Sequence, residues 1–177
     1  MSYLDVKIQL TEAEEKLFEL LLASVEYKGA KTIIRVAGGW VRDKVLCQQS
    51  CDIDVALDDQ SGVEFATNVN DYLKHMGMET RTIAVIQANP DQSKHLETAN
   101  LRVLGYEIDC VNLRAETYSE TRIPEIRKGT ALEDALRRDF TVNTLFYNIN
   151  TKHVEDLTGR GIDDLKHRII RTPISAH

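Results

Sequence analysis

Apolar residues recur at helical spacing near the start of the chain and then give way to short runs of β-branched residues. Thr11 to Tyr27 predicts a helix, because its leucines recur three and four positions apart and Thr11 and Glu14 form a capping box. Thr32 to Val36 predicts a strand that stops at a glycine pair, and Trp40 to Leu46 predicts the helix after it. The chain therefore opens with a helix, a strand, a glycine turn and a second helix.

The middle of the chain is rich in strand patterns. Acidic and apolar residues alternate from Asp52 to Leu57, which is typical of a strand with one face turned away from the core. Ser61 to Met76 predicts a capped helix, and Gly77 stands where that helix would end. Three further runs predict strands, with a polar turn between the first two: Arg81 to Ile86, His95 to Val103 and Tyr106 to Leu113, with Asn89 to Lys94 as the turn.

The last third predicts a long helix and a short hairpin. Thr130 to Leu145 is helical in pattern and opens with a second capping box, formed by Thr130 and Glu133. Two short strands follow, Phe146 to Asn150 and His153 to Leu157. A glycine-rich turn at Gly159 to Gly161 then leads to a brief helix and to the strand-like run Arg168 to Arg171. Helices mixed with adjacent strands predict an α/β or α+β domain, with helices on one face of a mixed sheet and the chemistry on the other.

Composition narrows the class of protein without fixing it. The 177 residues, 42% hydrophobic and 28% charged, suit one globular domain or one domain and the beginning of another. No apolar run approaches the roughly 20 residues that cross a bilayer, so we predict a soluble intracellular protein without a membrane partner. A net charge of −6 argues against a protein that coats nucleic acid, but it suits an RNA-processing enzyme whose acids gather at a metal site. Three unpaired cysteines indicate neither a disulfide framework nor a zinc site: Cys47, Cys51 and Cys110.

The glycine pair and a pair of acids form the first candidate site. Gly38 and Gly39 lie between a predicted strand and helix, where bare backbone suits a triphosphate, although glycine pairs more often serve plain turns. Asp52 and Asp54 project from one face of a strand, and carboxylate oxygens suit Mg²⁺. The combination predicts metal-dependent phosphoryl transfer, and the alternative is an ordinary solvated strand face.

Two later segments add candidate polar groups. Asp109 lies on a strand with the same alternation, so it is a candidate third carboxylate near the metal, or else a solvent-facing acid. Asp139 and Asn143 stand four positions apart on the predicted helix and present a carboxylate and an amide to one spot, which suits a ribose. The guanidinium group of Arg138 suits either binding a phosphate or holding the carboxylate of Asp139. The alternative is a charged helix surface.

These motifs together resemble those of a known family. The sequence GGWVRD at 38–43 with DID at 52–54, and RRD at 137–139 with Asn143, is similar to the first two signature motifs of class II tRNA nucleotidyltransferases and bacterial poly(A) polymerases. These enzymes belong to the DNA polymerase β-like superfamily. The resemblance covers about residues 30 to 173, with Cys47 and Thr144 as departures where the family commonly has smaller residues. Two segments resemble the eukaryotic CCA-adding branch in particular: residues 89 to 98 and residues 111 to 171.

The resemblance implies a fold and a set of residue roles. It implies a five-stranded mixed sheet flanked by helices, with Mg²⁺ held by Asp52 and Asp54 and with Asp109 as a third catalytic residue. The nucleotide would be bound by residues of both motifs, with Asp139 at the ribose: Gly38, Gly39, Arg42, Asp43, Arg138, Asp139 and Asn143.

The resemblance also implies an activity. Residues 1–150 would form a catalytic head that adds CCA to the 3′ end of tRNA from CTP and ATP, and residues 151–177 would begin the connection to a neck domain. The neck motif that reads the base is absent, so we expect the native sequence to continue past His177. Two alternatives stay open, a poly(A)-type enzyme that uses ATP alone and an inactive head that binds nucleotide or RNA. We expect a cytoplasmic protein, with the nucleus or mitochondria as further locations of the full-length form.

Overall fold

A mixed β-sheet forms the centre of the fold. The structure, a computed structural model, describes residues 6–86, 97–117 and 125–174. These residues contain the following strands: β1 Ile34–Ala37, β2 Ile53–Leu57, β3 Ala84–Ile86, β4 Thr98–Val103, β5 Tyr106–Asn112, β6 Arg114–Thr117, β7 Glu125–Lys128, β8 Phe146–Asn148 and β9 His153–Glu155. Seven of them form one sheet in the order β3-β4-β5-β2-β1-β8-β9, while β6 and β7 form a separate hairpin. Within the large sheet, β2 and β5 run parallel and the other described pairs run antiparallel.

The predicted mixed sheet with flanking helices is confirmed, but the expected number of five strands is wrong. The difference arises because the hairpin of β8 and β9 extends the sheet beyond β1, where Val36 pairs with Tyr147 and Tyr147 pairs with Val154. All five strands expected between residues 32 and 113 are present, and most begin one to three residues later than predicted. The turn predicted at Asn89 to Lys94 lies outside the described residues.

Helices cover the two faces of the sheet unequally. The described α-helices are α1 Glu12–Tyr27, α2 Gly39–Val45, α3 Gly62–His75, α4 Ala131–Leu136 and α5 Gly161–His167. Leu17 of α1 and Phe65 of α3 are fully buried in the main core, on the face that also receives Val55 of β2. On the opposite face, α4 covers a smaller apolar cluster that contains Ala56 and Phe146. The rest of that face is open to polar residues, as the sequence predicted.

The helix after the glycine turn is fixed to the core at two points. Trp40 is 2% exposed, and its ring lies 5.7 Å from that of Phe18 and 6.0 Å from that of Tyr147. Lys44 is buried with its Nζ 2.7 Å from Oε2 of Glu14, the acid of the α1 capping box. Because a buried charge without a partner is costly, this ion pair ties α2 to α1.

The helix predicted from Thr130 to Leu145 is wrong in its second half. The capping box is present, but α4 ends at Leu136 and only a short 3-10 helix follows at Thr141–Asn143. Phe140 is extended, with φ −131° and ψ 149°, and its N–H donates to Oδ1 of Asp139 at 2.8 Å. A short acidic side chain that bonds nearby backbone competes with helical hydrogen bonds, which accounts for the break.

Two smaller differences concern the ends of elements. The prediction of a strand from Arg168 to Arg171 is wrong: Arg168 caps α5 in the left-handed conformation with φ 57°, and no strand follows it in the described residues up to 174. The hairpin of β6 and β7 was not predicted.

Two further predictions concern the cysteines and membrane-spanning helices. All three cysteines are free thiols, Cys47 and Cys51 exposed and Cys110 buried, as their odd number and spacing predicted. In the part of the chain that the structure describes, no helix is both long and apolar enough to span a membrane.

Candidate active site

The glycine turn presents bare backbone to two arginines. Gly38 joins β1 to α2 with φ 69° and ψ −131°, a conformation that favours glycine. A Cβ atom at Gly38 would lie 3.2 Å from Nη1 of Arg138, and one at Gly39 would lie 3.5 Å from Nη2 of Arg42. Both guanidinium groups therefore lie directly against the turn, an arrangement that suits a chain of phosphates.

Two of the predicted acids are neighbours on the open face of the sheet. Asp54 of β2 and Asp109 of β5 are paired across the parallel strands, and the residues before them, Ile53 and Ile108, are buried on the opposite face. Neighbouring strands lie about 4.8 Å apart, so the two carboxylates share one space. Asn100 of β4 donates its Nδ2–H to Oδ1 of Asp109 at 2.9 Å and orients that carboxylate.

The acids repel one another in the protein without metal. Burial raises the pKa of Asp54, the negative charge of Asp109 raises it further, and the positive charge of Arg138 opposes the rise. Asp52 lies just before β2, is exposed, and adds a smaller upward effect on the same pKa. The Asp54 side chain is itself exposed to solvent, which limits the effect of burial on its pKa. A cation bound among the three carboxylates would offset their mutual repulsion.

The donor set fits a divalent metal ion that is completed by other ligands. Within residues 6–86, 97–117 and 125–174, no group of three or more His, Cys, Asp or Glu side chains forms a metal site by itself. Mg²⁺ is usually held by one or two carboxylates and takes its other ligands from water and substrate phosphates. The neighbouring acids at the beginning of β2 fit this pattern, and the adjacent glycine turn leaves room for phosphates.

Arg138 is held on the sheet by a carboxylate and an aromatic ring. Its Nε and Nη2 donate to Oδ1 of Asp134 at 3.1 and 2.8 Å, and its guanidinium carbon lies 5.5 Å from the centre of the Phe146 ring. Of the two roles left open by the sequence, the structure shows no ion pair to Asp139 within the described residues. Arg138 instead pairs with Asp134 and contacts the glycine turn.

Hydrogen bonds join the two sequence motifs. Nη1 of Arg42 donates to Oδ1 of Asn143 at 2.7 Å, and Nδ2 of Asn143 donates to Oδ1 of Asp139 at 3.0 Å. Nε of Arg42 also donates to Oδ1 of Asp43 at 2.9 Å. The bond from Asn143, and then the N–H of Phe140, lower the pKa of Asp139, so this exposed carboxylate is charged at neutral pH.

The predicted site residues therefore gather in two linked groups. The acids at β2 and β5 form the first, and the network from Asp43 to Asp139 forms the second, with the glycine pair and Arg138 between them. The contact between Asp139 and Asn143 was predicted, but on a helix that is not there. Asp134 was missed, although its positions three and four residues before Arg137 and Arg138 are the spacing of helical ion pairs.

The chain is similar in sequence to known nucleotidyltransferases. Residues 34–171 match the Poly A polymerase head domain. The chain is 47% identical to the mitochondrial CCA tRNA nucleotidyltransferase of Saccharomyces cerevisiae, over 96% of this chain and 33% of that protein. It is 48% identical to tRNA nucleotidyltransferase cca1 of Schizosaccharomyces pombe, over 96% of this chain and 35% of that protein.

Solved structures agree with these sequence matches. An apo form of a CCA-adding enzyme has a TM-score of 0.75 and 26% identity, covering 93% of this chain and 36% of the other. A CCA-adding enzyme in complex with CTP has a TM-score of 0.66 and 26% identity, covering 93% of this chain and 35% of the other.

The chain belongs to the family of CCA-adding enzymes and poly(A) polymerases and corresponds to the head domain of that family. Its identity to the two yeast enzymes is higher than its identity to the two solved CCA-adding enzymes, which agrees with the eukaryotic-type branch that the sequence indicated. The chain spans about a third of the length of the curated relatives it matches. Nucleotidyltransferases of this family generally use divalent metal ions.

Proposed function

We propose that this chain is the catalytic head of an enzyme that adds CCA to the 3′ end of tRNA from CTP and ATP. The observation that carries the proposal is the pairing of Asp54 with Asp109 on the open face of the sheet, beside a glycine turn flanked by two arginines. Acids and guanidinium groups so arranged suit the transfer of a nucleotide from a triphosphate. In the reaction, the terminal ribose hydroxyl of the RNA attacks the α-phosphorus and pyrophosphate leaves.

The acids would hold Mg²⁺. Asp52 and Asp54 are its proposed ligands, and the bound ion neutralises phosphate charge and aligns the attacking hydroxyl. Asp109 is the third proposed catalytic residue, since it faces the same space as Asp54 and is oriented by Asn100. A carboxylate at Asp109 would suit the acceptance of the proton of the attacking hydroxyl.

The arginine-rich side of the site would bind the nucleotide. Gly38 and Gly39 allow close approach of the triphosphate, and Arg42 and Arg138 face it with positive charge. The ribose would lie at Asp139, whose charged carboxylate suits a bond from a ribose hydroxyl. The members of this proposed nucleotide site are those the sequence indicated: Gly38, Gly39, Arg42, Asp43, Arg138, Asp139 and Asn143.

The boundaries and location of the protein are part of the proposal. We assign residues 1–150 to the catalytic head and residues 151–177 to the start of the connection to a neck domain, with β9 of this connecting segment paired to β8 at the edge of the head's sheet. The relative from Saccharomyces cerevisiae is named as mitochondrial. Mitochondria are therefore one proposed location, beside the cytoplasm and the nucleus.

Incubation with tRNA that lacks its CCA end tests the proposal. The full-length protein is supplied with Mg²⁺ and with CTP, ATP or both, and the products are sequenced. Addition of C, C and then A is expected. Tails of A alone would favour a poly(A)-type enzyme, and nucleotide binding without any addition would favour a binding module. A matched control is Asp59→Asn, an exposed residue just after β2, which should add CCA like the wild type.

A further inference from the structure

Asp134 is a buried acid without a place in the reaction described above. It lies in α4, is 1% exposed, and accepts four hydrogen bonds or ion-pair contacts. Oδ1 accepts from Arg138 at 3.1 and 2.8 Å, while Oδ2 accepts from the backbone N–H of Arg114 at 2.8 Å and lies 3.4 Å from Nη2 of Arg137. Burying a carboxylate is costly unless such partners satisfy it. The Asp134 carboxylate is therefore stabilised in the interior by its contacts with these arginines.

The bond to Asp134 decides which edge of Arg138 is left for other partners. Nε and Nη2 are used on the carboxylate, and the Phe146 ring lies against the plane of the guanidinium. The remaining nitrogen, Nη1, is the atom that would lie 3.2 Å from a Cβ at Gly38. Arg138 is thus held from two sides with its free edge against the glycine turn.

The surroundings of Asp134 have an excess of positive charge. The guanidinium groups of Arg137 and Arg138 contact the one buried carboxylate, and that of Arg114 lies close enough to interact electrostatically with all three groups. Burial, and then the positive charge of Arg137, lower the pKa of Arg114. Such an excess next to a glycine turn attracts a polyanion. The single carboxylate of Asp134 orients Arg137 and Arg138 without cancelling the charge of the three arginines.

We propose that Asp134 is a positioning residue that sets the guanidinium of Arg138 against the glycine turn to receive the triphosphate of the incoming nucleotide. The inference rests on the proposed function. Asp134 touches no substrate in this account, because its side chain is closed off by the arginines. A guanidinium group that is already fixed in place binds a triphosphate more tightly than a mobile charged group, because less conformational entropy is lost when the nucleotide binds.

Kinetics of single and double variants test the positioning role. The full-length protein is prepared as wild type, Asp134→Asn, Arg138→Lys and the double variant, with Glu133→Gln as matched control. Glu133 is the preceding residue of α4, and a glutamine there still accepts the bond from the N–H of Thr130. Thermal unfolding is recorded for each variant, so that loss of fold is separated from loss of function.

Asp134→Asn should raise the KM for CTP about tenfold, the effect of losing one hydrogen bond to a charged group, with a smaller change in kcat. Arg138→Lys keeps the charge but loses the fork, so it should have a similar effect. Because both changes remove the same interaction, the double variant should be no worse than either single variant. Glu133→Gln should match the wild type.

Three outcomes would overturn the inference. An Asp134→Asn variant with wild-type KM removes the positioning role, and so does a double variant about a hundredfold worse, since independent effects multiply. A wild-type protein that adds no nucleotide overturns the proposed function together with this inference. An active wild type with either of the first two results overturns the inference alone.

A measurement on the wild type covers the case in which Asp134→Asn does not fold. In protein labelled with ¹⁵N-arginine, a fixed Arg138 should give separate Nη signals that shift when CTP is added. Averaged signals that CTP does not move would overturn the inference.

Discussion

The two sequence motifs of the site are built in different ways. The first, GGWVRD, forms the turn after β1 and the first part of α2, and this helix is held in the core by Trp40 and by the ion pair of Lys44 with Glu14. The second, RRD, lies where a helix breaks into an extended residue and a 3-10 turn, and side-chain hydrogen bonds hold it. The first motif is therefore held by burial in the core, and the second by side-chain hydrogen bonds of partly or fully exposed residues.

The largest expected effect comes from the acids that lie between the two motifs. Asp54→Asn should lower nucleotide addition at least about a thousandfold, because a metal ligand contributes several kcal/mol to the transition state. The fold should be unaffected. The pKa of Asp54 is raised in the folded protein, so its charge opposes folding above its unfolded pKa, and the substitution removes this effect. Turnover at the rate of the Asp59→Asn control would remove Asp54 from the metal site.

The next largest effect is on stability, and it concerns the helix of the first motif only. Lys44→Met leaves Glu14 buried without its partner and should lower the free energy of unfolding by about 3–5 kcal/mol. Denaturant unfolding measures the change. The double variant Glu14→Leu with Lys44→Met should be more stable than Lys44→Met alone, since no buried charge is left unpaired. A single variant as stable as the wild type would show that packing around Trp40 is sufficient.

A smaller effect is expected in the second motif. Asn143→Ala removes the link from Arg42 to Asp139, which should raise the KM for CTP about fivefold, in line with about 1 kcal/mol for one hydrogen bond. Thermal unfolding should change little, because Asn143 is only partly buried. The pKa of Asp139 should rise toward its ordinary value, as ¹³C NMR titration can measure. An unchanged pKa would contradict the assigned hydrogen bond.

The smallest expected effect is a change in the pKa of Asp54 when its neighbour Asp109 is replaced. Asp109→Asn removes a negative charge beside Asp54, so the pKa of Asp54 in metal-free protein should fall while burial still keeps it above its ordinary value. A ¹³C NMR titration of the Asp54 carboxylate measures this change. A pKa that does not move would mean that the two side chains do not share one space.

Local patterns were sufficient for the first motif and insufficient for the second. A short run of β-branched and apolar residues and the glycine pair predicted the strand and turn around Gly38, because each depends on near neighbours in the sequence. The break after Leu136 depends on a hydrogen bond between Asp139 and the next backbone N–H, which competes with a favourable helical pattern. Asp109 was expected near the metal, but its register opposite Asp54 is a tertiary contact that no local pattern encodes.

The hairpin of β6 and β7 was missed for a related reason. Its strands are mostly charged and lie outside the main sheet, so they lack the apolar alternation that marks strands packed on a core. The burial of Asp134 likewise follows from the arginines around it, only two of which are close to it in sequence.

Paramagnetic broadening by Mn²⁺, as a substitute for Mg²⁺, tests the central claim most directly. In ¹⁵N-labelled protein with a non-reactive CTP analogue, substoichiometric Mn²⁺ should broaden the backbone amide signals around Gly38, Asp54 and Asp109 before others. The Asp54→Asn variant should lose this selective broadening. Broadening centred elsewhere, or equally strong in the variant, would contradict a metal and nucleotide site at these acids.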